Sequence, residues 1–169
     1  MAVKDYLVAL ERNIGNARQG LATEVFLFVS RLTPMVNVEL LIKNEKNKTL
    51  LTWREDEYYG PGWHLPGGVV RFKETVATRI QAVAESELGA RVEFQNDPLV
   101  MNEIMNPTRD TRGHFISFLY ECKLTSSLDP SLEYRKEFVK NGQWAWHGEC
   151  PENLIAVHEI YRNYICTPA

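Results

Sequence analysis

The sequence predicts a mixed α+β fold, and three of its features carry that expectation. Strand-like runs follow one another with helical stretches between and after them, rather than in regular strand-helix alternation. Residues 35–43 alternate apolar and polar side chains over a full strand length. A glycine- and proline-rich stretch, GPGWHLPGG over residues 60–68, leads into a helical pattern at 74–88 that Gly89 stops.

Residues 4–18 read as a helix, with Tyr6, Leu7, Leu10 and Ile14 at helical spacing and Gly20 interrupting it. Residues 24–30 (EVFLFVS) are strand-like. In the alternating stretch Val36, Val38, Leu40 and Ile42 share one face and Asn37, Glu39 and Leu41 the other, so Glu39 points away from the aliphatic stripe. The polar run 44–48 is a turn, and strand 49–53 after it completes a hairpin with Arg54 at its end. Two more strands, 99–105 and 114–122, flank a polar loop carrying Arg109, Asp110 and Arg112. Trp144 and Trp146 mark a last strand, and Pro151 opens a final amphipathic helix with Leu154, Val157, Tyr161 and Tyr164 at helical spacing.

The 169 residues suffice for one well-buried core and are read as a single domain, 1–169, whose residues 1–30 form a helix-and-strand extension. Apolar and charged fractions of 44% and 24% are those of a globular protein. A net charge of −3 supplies no general attraction for nucleic acid or anionic lipid, so bound phosphate must be held by local basic groups or a metal. Cys122, Cys150 and Cys166 are odd in number and lack the close pairing of zinc or redox motifs; free thiols in a reducing cytosol are expected. No stretch approaches the length that spans a bilayer and no secretion signal opens the chain, which predicts a cytoplasmic protein with no membrane or nucleic-acid partner.

Chemistry enters through Glu87. On the helix after the glycine-rich loop, Val76, Ile80, Val83 and Ala84 fall within about 60° of it, so its carboxylate lies on the apolar face. A carboxylate pressed toward a core is costly unless it is paired or coordinates a cation, so either an Arg or Lys partner or a metal is required. The tripeptide Pro66-Gly67-Gly68 is either a plain turn into the helix or a place where backbone oxygens approach a ligand, and magnesium favours such hard donors. Loop 109–114 is either a solvated basic loop or a pair of arginine forks for diphosphate oxygens, with His114 placed to hydrogen-bond substrate or shuttle a proton. Trp63 and Phe115 either stack a base or sugar or fill the core. His64, His147 and His158 lack ligand spacing and are given no role.

Gly68, Glu74, Glu87 and Gly89, preceded by Trp63-His64-Leu65-Pro66-Gly67, resemble the signature of the Nudix hydrolase family. The signature's Arg-Glu pair is replaced by Ala82-Val83 and the first of its paired glutamates by Ser86, while Glu85 projects about 160° from Glu87. A similar reduction is found in the GDP-mannose mannosyl hydrolase branch, which the chain also resembles in Thr33-Pro34-Met35-Val36 leading to Glu39, in Leu50-Leu51 followed by Arg54, and in residues 84–89. The resemblance implies an α/β/α sandwich with a mixed sheet between helices and hydrolysis of a nucleoside diphosphate linked to a sugar or similar group. It implies Mg²⁺, with Mn²⁺ able to replace it, held by Gly67 and Glu87. Glu87, Arg54 and His114 are the implied catalytic residues, and Glu39, Arg54, Arg112 and Phe115 the substrate contacts. It also implies a homodimer built through the amino-terminal extension. At the branch's glutamine and histidine positions stand Lys140 and Asn141, with Glu137 the nearest carboxylate. The missing carboxylates motivate the alternative of a nucleotide-sugar binding or sensing module.

Overall fold

The computed structural model describes residues 2–166. Helices α1 (Val3–Ile14) and α2 (Thr23–Val29) precede strands β1 (Met35–Ile42), β2 (Thr49–Arg54), β3 (Gly62–His64) and β4 (Gly67–Val69). Helix α3 (Val76–Leu88) follows, then β5 (Val92–Phe94), β6 (Val100–Met105), β7 (His114–Leu124) and β8 (Trp144–His147). A 3-10 helix, Ala156–Tyr161, and one helical turn, α4 (Arg162–Ile165), end the described chain.

The expected mixed α+β architecture is present. The larger sheet runs β4-β1-β7, and the far edge of β7 is shared end to end by β6 and β5. β1 and β7 run parallel while the other pairs are antiparallel, so the sheet is mixed. A smaller antiparallel sheet runs β3-β2-β8. One face of β1 sends Val38, Leu40 and Ile42 against Ile80, Val83, Ala84 and Leu88 of α3. Its other face sends Leu41 into a second core with Leu51, Trp63, Leu154 and the fully buried Tyr161. Burial on both faces explains why the aliphatic run of β1 is nearly continuous toward its end.

Helix α3 begins and ends where its chemistry directs. The Thr75 hydroxyl accepts the Thr78 N–H at 3.1 Å as an N-cap. At the other end Gly89 adopts φ 60°, ψ 26°, the left-handed conformation that closes a helix. A Cβ there would meet the Asp129 Cβ at 2.5 Å.

Four expectations are corrected. Residues 24–30 form α2 rather than a strand: a short apolar run has no decisive period, and here no sheet edge takes it up. The 44–48 turn is present, with Asn44 Oδ1 accepting the N–H groups of Lys46 and Lys48. The hairpin, however, separates after one bridge between Lys43 and Thr49, and β1 and β2 enter different sheets. The final amphipathic helix is instead a 3-10 helix, and burial recurs every third residue at Ile155, His158 and Tyr161. Cys150 and Cys166 are joined as a disulfide with Cα atoms 5.1 Å apart, leaving Cys122 as the free, buried thiol among the described residues. Strand β5, only three residues long, had no expectation attached to it. Among the described residues no helix is long and apolar enough to cross a membrane.

Candidate functional site

A cavity of about 350 Å³ opens where β1, β4, the end of β2, α3 and the 3-10 helix meet. Its inner end is acidic. Glu39, on the face of β1 turned from α3, is 4% exposed, and Glu87 reaches the same space from α3. Glu39 pairs across the ladder with Gly67, a position whose backbone N–H and C=O are directed away from β1, because the hydrogen-bonded pairs flank it. The Gly67 N–H meets Glu87 Oε1 at 3.4 Å. A side chain at 67 would occupy the space taken by Glu39 Oε2, so glycine is what lets the strand lie over this carboxylate.

Both carboxyl groups are held above the ordinary range. Burial lifts Glu39 well above it, against the opposing influence of Arg54 and the Asn37 amide. Burial and then the charge of Glu39 push Glu87 up to about 8, although the Gly67 N–H, Thr52 and Arg54 act the other way. Neither has the bidentate basic partner that the structural alternative for Glu87 requires. Glu74 shows what that alternative looks like: Arg79 donates to both of its oxygens at 2.8 Å, locking the loop onto α3.

Two histidines that were given no role line this end of the cavity. His158 Nδ1 accepts the Leu65 N–H at 3.0 Å, which leaves the ring proton on Nε2, 3.4 Å from Glu39 Oε1. Burial, then the charge of Arg54, hold His158 down to about 3, so it is a neutral N–H donor facing a carboxyl oxygen. Burial, then His158, hold His64 well below the usual imidazole value. Its Nδ1 donates to the Leu65 carbonyl at 2.7 Å and its Nε2 meets the Thr52 hydroxyl at 3.0 Å. Thr52 in turn reaches Glu87 Oε2 at 3.2 Å. Thr52 has one proton for two partners: with Glu87 ionised the hydroxyl donates to it, and with Glu87 protonated the hydroxyl is released to His64. The signal for His158 is visible only with the three-residue period in hand, since a 3.6-residue reading turns Val157 inward instead.

The outer part of the cavity is basic. Arg54 is anchored by Asp56 (Nε to Oδ2, 2.6 Å) and lies over the Tyr59 ring at 4.8 Å. Arg112 lies 4.8 Å from the Tyr58 ring, and its Nε is buried with no hydrogen-bond partner. Burial and the neighbouring Arg54 lower the Arg112 pKa. Its backbone has φ 53°, stabilised by an N–H donated to Ser30 Oγ of the α2 end at 3.1 Å. Arg109 stacks on Tyr59 at 4.6 Å and donates to the Tyr58 carbonyl at 2.9 Å. A second hollow, about 680 Å³, continues outward and shares Tyr59, Ile104, Arg112, Phe115 and Val157 with the first.

Of the predicted site residues, Glu39, Arg54, Gly67, Glu87, Arg112 and Phe115 therefore line one cavity. His114 lines neither hollow; its Nε2 faces Glu103 Oε1 at 3.0 Å on the neighbouring strand, so the structure does not bring it to the site. Asn141 lines the cavity and accepts the Glu55 N–H at 3.1 Å, while Glu137 is exposed and outside it. Among the described residues no three His, Cys, Asp or Glu side chains gather as a metal-ligand group. A cation here would rest on the two carboxylates and backbone oxygen, and Glu39 Oε2, buried without any hydrogen-bond partner, is a donor of the right kind.

A NUDIX-domain family model matches residues 33–159. The Low-salt glycan biosynthesis protein Agl8 of Haloferax volcanii is 34% identical over 104 residues, 59% of this chain and 64% of that protein, so the match spans less than two thirds of the relative's length. The crystal structure of a NUDIX hydrolase from Nitrosomonas europaea is similar in fold with a TM-score of 0.60, at 22% identity over 79% of this chain and 70% of its own. A MutT NUDIX hydrolase from Burkholderia pseudomallei gives a TM-score of 0.58 at 20% identity, over 76% and 95% of the two chains. The matched region begins just before β1 and runs past His158, taking in both sheets, α3 and every residue of the acidic end of the cavity; the chain belongs to the NUDIX family, the Nudix hydrolases.

Proposed function

We propose that the protein is a divalent-cation-dependent hydrolase of a nucleoside diphosphate joined to a sugar or similar group. The observation that carries this reading is the polarity of the cavity: the buried Glu39 and half-buried Glu87 carboxylates at the inner end and the arginines 54 and 112 at its waist. The donor set fits magnesium or manganese, with Glu87 and the Gly67 carbonyl as the ligands. When bound, the cation supplies neutralisation of charge on the departing diphosphate. Arg54, held in place by Asp56, and Arg112, with an unsatisfied Nε, bind the diphosphate oxygens and fix their orientation. Phe115 and Tyr59 wall the passage to the outer hollow, which accommodates whatever the diphosphate carries at its far end. Neutral His158 turns its Nε2–H toward one oxygen of Glu39. His114 takes no part.

The name of the Haloferax volcanii relative places that protein in glycan biosynthesis, which supports a sugar-bearing substrate. A homodimer formed through α1 and α2 belongs to the same reading. No residue of α1 is buried within one copy of the chain, in keeping with a partner for it.

One observation favours a second reading, a binding module without turnover. Val83 and Ser86 stand where the signature has carboxylates, and the Ser86 hydroxyl donates to the Val83 carbonyl at 3.3 Å. Product analysis in ¹⁸O-labelled water separates the possibilities, using Mg²⁺ with nucleoside diphosphate sugars, ADP-ribose and dinucleotides. Label in free sugar means attack at the anomeric carbon, and label in phosphate means attack at phosphorus. Binding with no labelled product from any substrate overturns the hydrolase reading.

A further inference from the structure

We propose that Glu39 is a direct ligand of the divalent cation, a carboxylate supplied from strand β1 in place of those missing from α3. The proposal rests on the reading of Glu87 and Gly67 as metal donors and adds a third donor from a different element. Its first support is the way the two oxygens of Glu39 are used. Oε1 accepts from the Asn37 amide and faces His158 Nε2 at 3.4 Å. Oε2 is buried and has no hydrogen-bond partner among the described residues. A carboxylate fixed through one oxygen with the other left free has the form of a metal ligand braced by hydrogen-bond donors behind it.

The second support is the absence of any side chain between this oxygen and Gly67. Gly67 lies opposite Glu39 in the ladder, and a Cβ on it would fall on Oε2. The free oxygen therefore lies against the same short stretch of backbone whose N–H meets Glu87. The third support is electrostatic: Glu39 and Glu87 repel each other across the cavity, and no arginine forms an ion pair with either among the described residues. A cation shared by the two groups would offset that repulsion and let both ionise, since an uncompensated buried charge is strongly destabilising.

Mn²⁺ binding to the substrate-free protein tests this without reference to turnover. Titrations followed by electron paramagnetic resonance of free Mn²⁺ would compare the wild type with Glu39→Gln, Glu39→Asp, Glu87→Gln and, as a control on the exposed side of α3, Glu85→Gln. Glu39→Gln is expected to weaken Mn²⁺ binding at least about ten-fold, the scale on which even supporting residues of a metal site act. Glu39→Asp should retain part of the affinity, and Glu85→Gln should match the wild type. Circular dichroism and thermal unfolding without metal verify the fold, and the rise in melting temperature on adding Mn²⁺ should shrink in Glu39→Gln. Wild-type affinity in Glu39→Gln alongside weakened binding in Glu87→Gln overturns the proposal and leaves the proposed function standing. Weakened binding in Glu39→Gln but not in Glu87→Gln upholds the proposal and overturns the ligand set on which the function was argued. A wild type that binds no Mn²⁺, or unchanged binding in both variants, overturns both.

Discussion

Without metal, the protein should lose stability as pH rises from 6.5 to 8, and Glu87→Gln should remove much of that loss. Glu87 titrates at about 8 in the folded protein because burial and the facing Glu39 disfavour its charge, against 4.5 for the ordinary group. Between those values the native state holds a proton that the unfolded chain has released, so raising the pH favours unfolding. Each pH unit then costs about 1.4 kcal/mol per retained proton. Across this window His64 and His158 stay neutral in the fold while the unfolded imidazoles go from about half protonated to neutral, which offsets the loss by only about 0.4 kcal/mol each. Allowing for half-titration at the upper end, Glu87 alone accounts for about 2 kcal/mol, or about 3–7 °C in melting temperature for a chain of this size. Glu39, raised in the same direction, adds to the slope. Urea unfolding in chelator at several pH values measures it directly. If Glu87→Gln shows the same pH slope as the wild type, or if the metal-free wild type is flat or gains stability across the window, the electrostatic account of the acidic end is wrong.

Four shorter predictions accompany it. Gly67→Ala drives a methyl group onto the Glu39 carboxylate and should cost about 1–3 kcal/mol while abolishing Mn²⁺ binding; a stable, metal-binding variant in calorimetry would contradict the close approach. His114→Ala should keep turnover within about two-fold of the wild type, since its ring faces Glu103 outside the cavity, and a hundred-fold fall in kcat would restore it to the mechanism. Arg112→Ala should raise KM for diphosphate substrates by about ten-fold or more through loss of a charge-assisted contact, with a smaller change in kcat. Reducing the Cys150–Cys166 bond, which spans 16 residues, should cost about 3 kcal/mol, read as a drop of about 6–12 °C in a melting curve with and without a dithiol; an unchanged curve would show that the non-covalent ties suffice.

Helix α3 was legible because its determinants are local: a threonine cap, a 3.6-residue apolar stripe and a left-handed glycine all lie within its own span. Glu87 stood out for the same reason, as a charge on the wrong side of that stripe. Glu39 could be placed by strand alternation, but its setting between Gly67 and His158 could not, since those two come from distant parts of the fold. The divergence of β1 and β2 escaped because a turn shows that the chain reverses, not which neighbours the strands then find. Residues 24–30 misled because Phe and Val suit either element, and the deciding contacts, Ser30 on the Arg112 backbone and Phe26 beneath its guanidinium, are remote in sequence. His158 was hidden by the choice of period, because a 3-10 helix buries every third side chain and places histidine where a 3.6-residue helix would place valine.

One side of the cavity, with Val157 and His158, is supplied by the segment that follows the last described strand, so during synthesis both sheets precede the imidazole that faces Glu39. A nascent chain that has emerged through β8 already contains both sheets, yet Leu154, Tyr161 and Ile165 have not reached the second core, and the Leu65 N–H still lacks its imidazole. In that interval Leu51, Trp63 and Leu65 face water as a sticky apolar strip, the kind of surface that holdase chaperones bind. Docking of Tyr161 onto Ser117 at 2.8 Å then buries the strip and brings in His158 in one movement. A message truncated shortly after the β8 codons would thus yield a polypeptide that keeps Glu39, Gly67 and Glu87 yet leaves the second core open and is prone to aggregate.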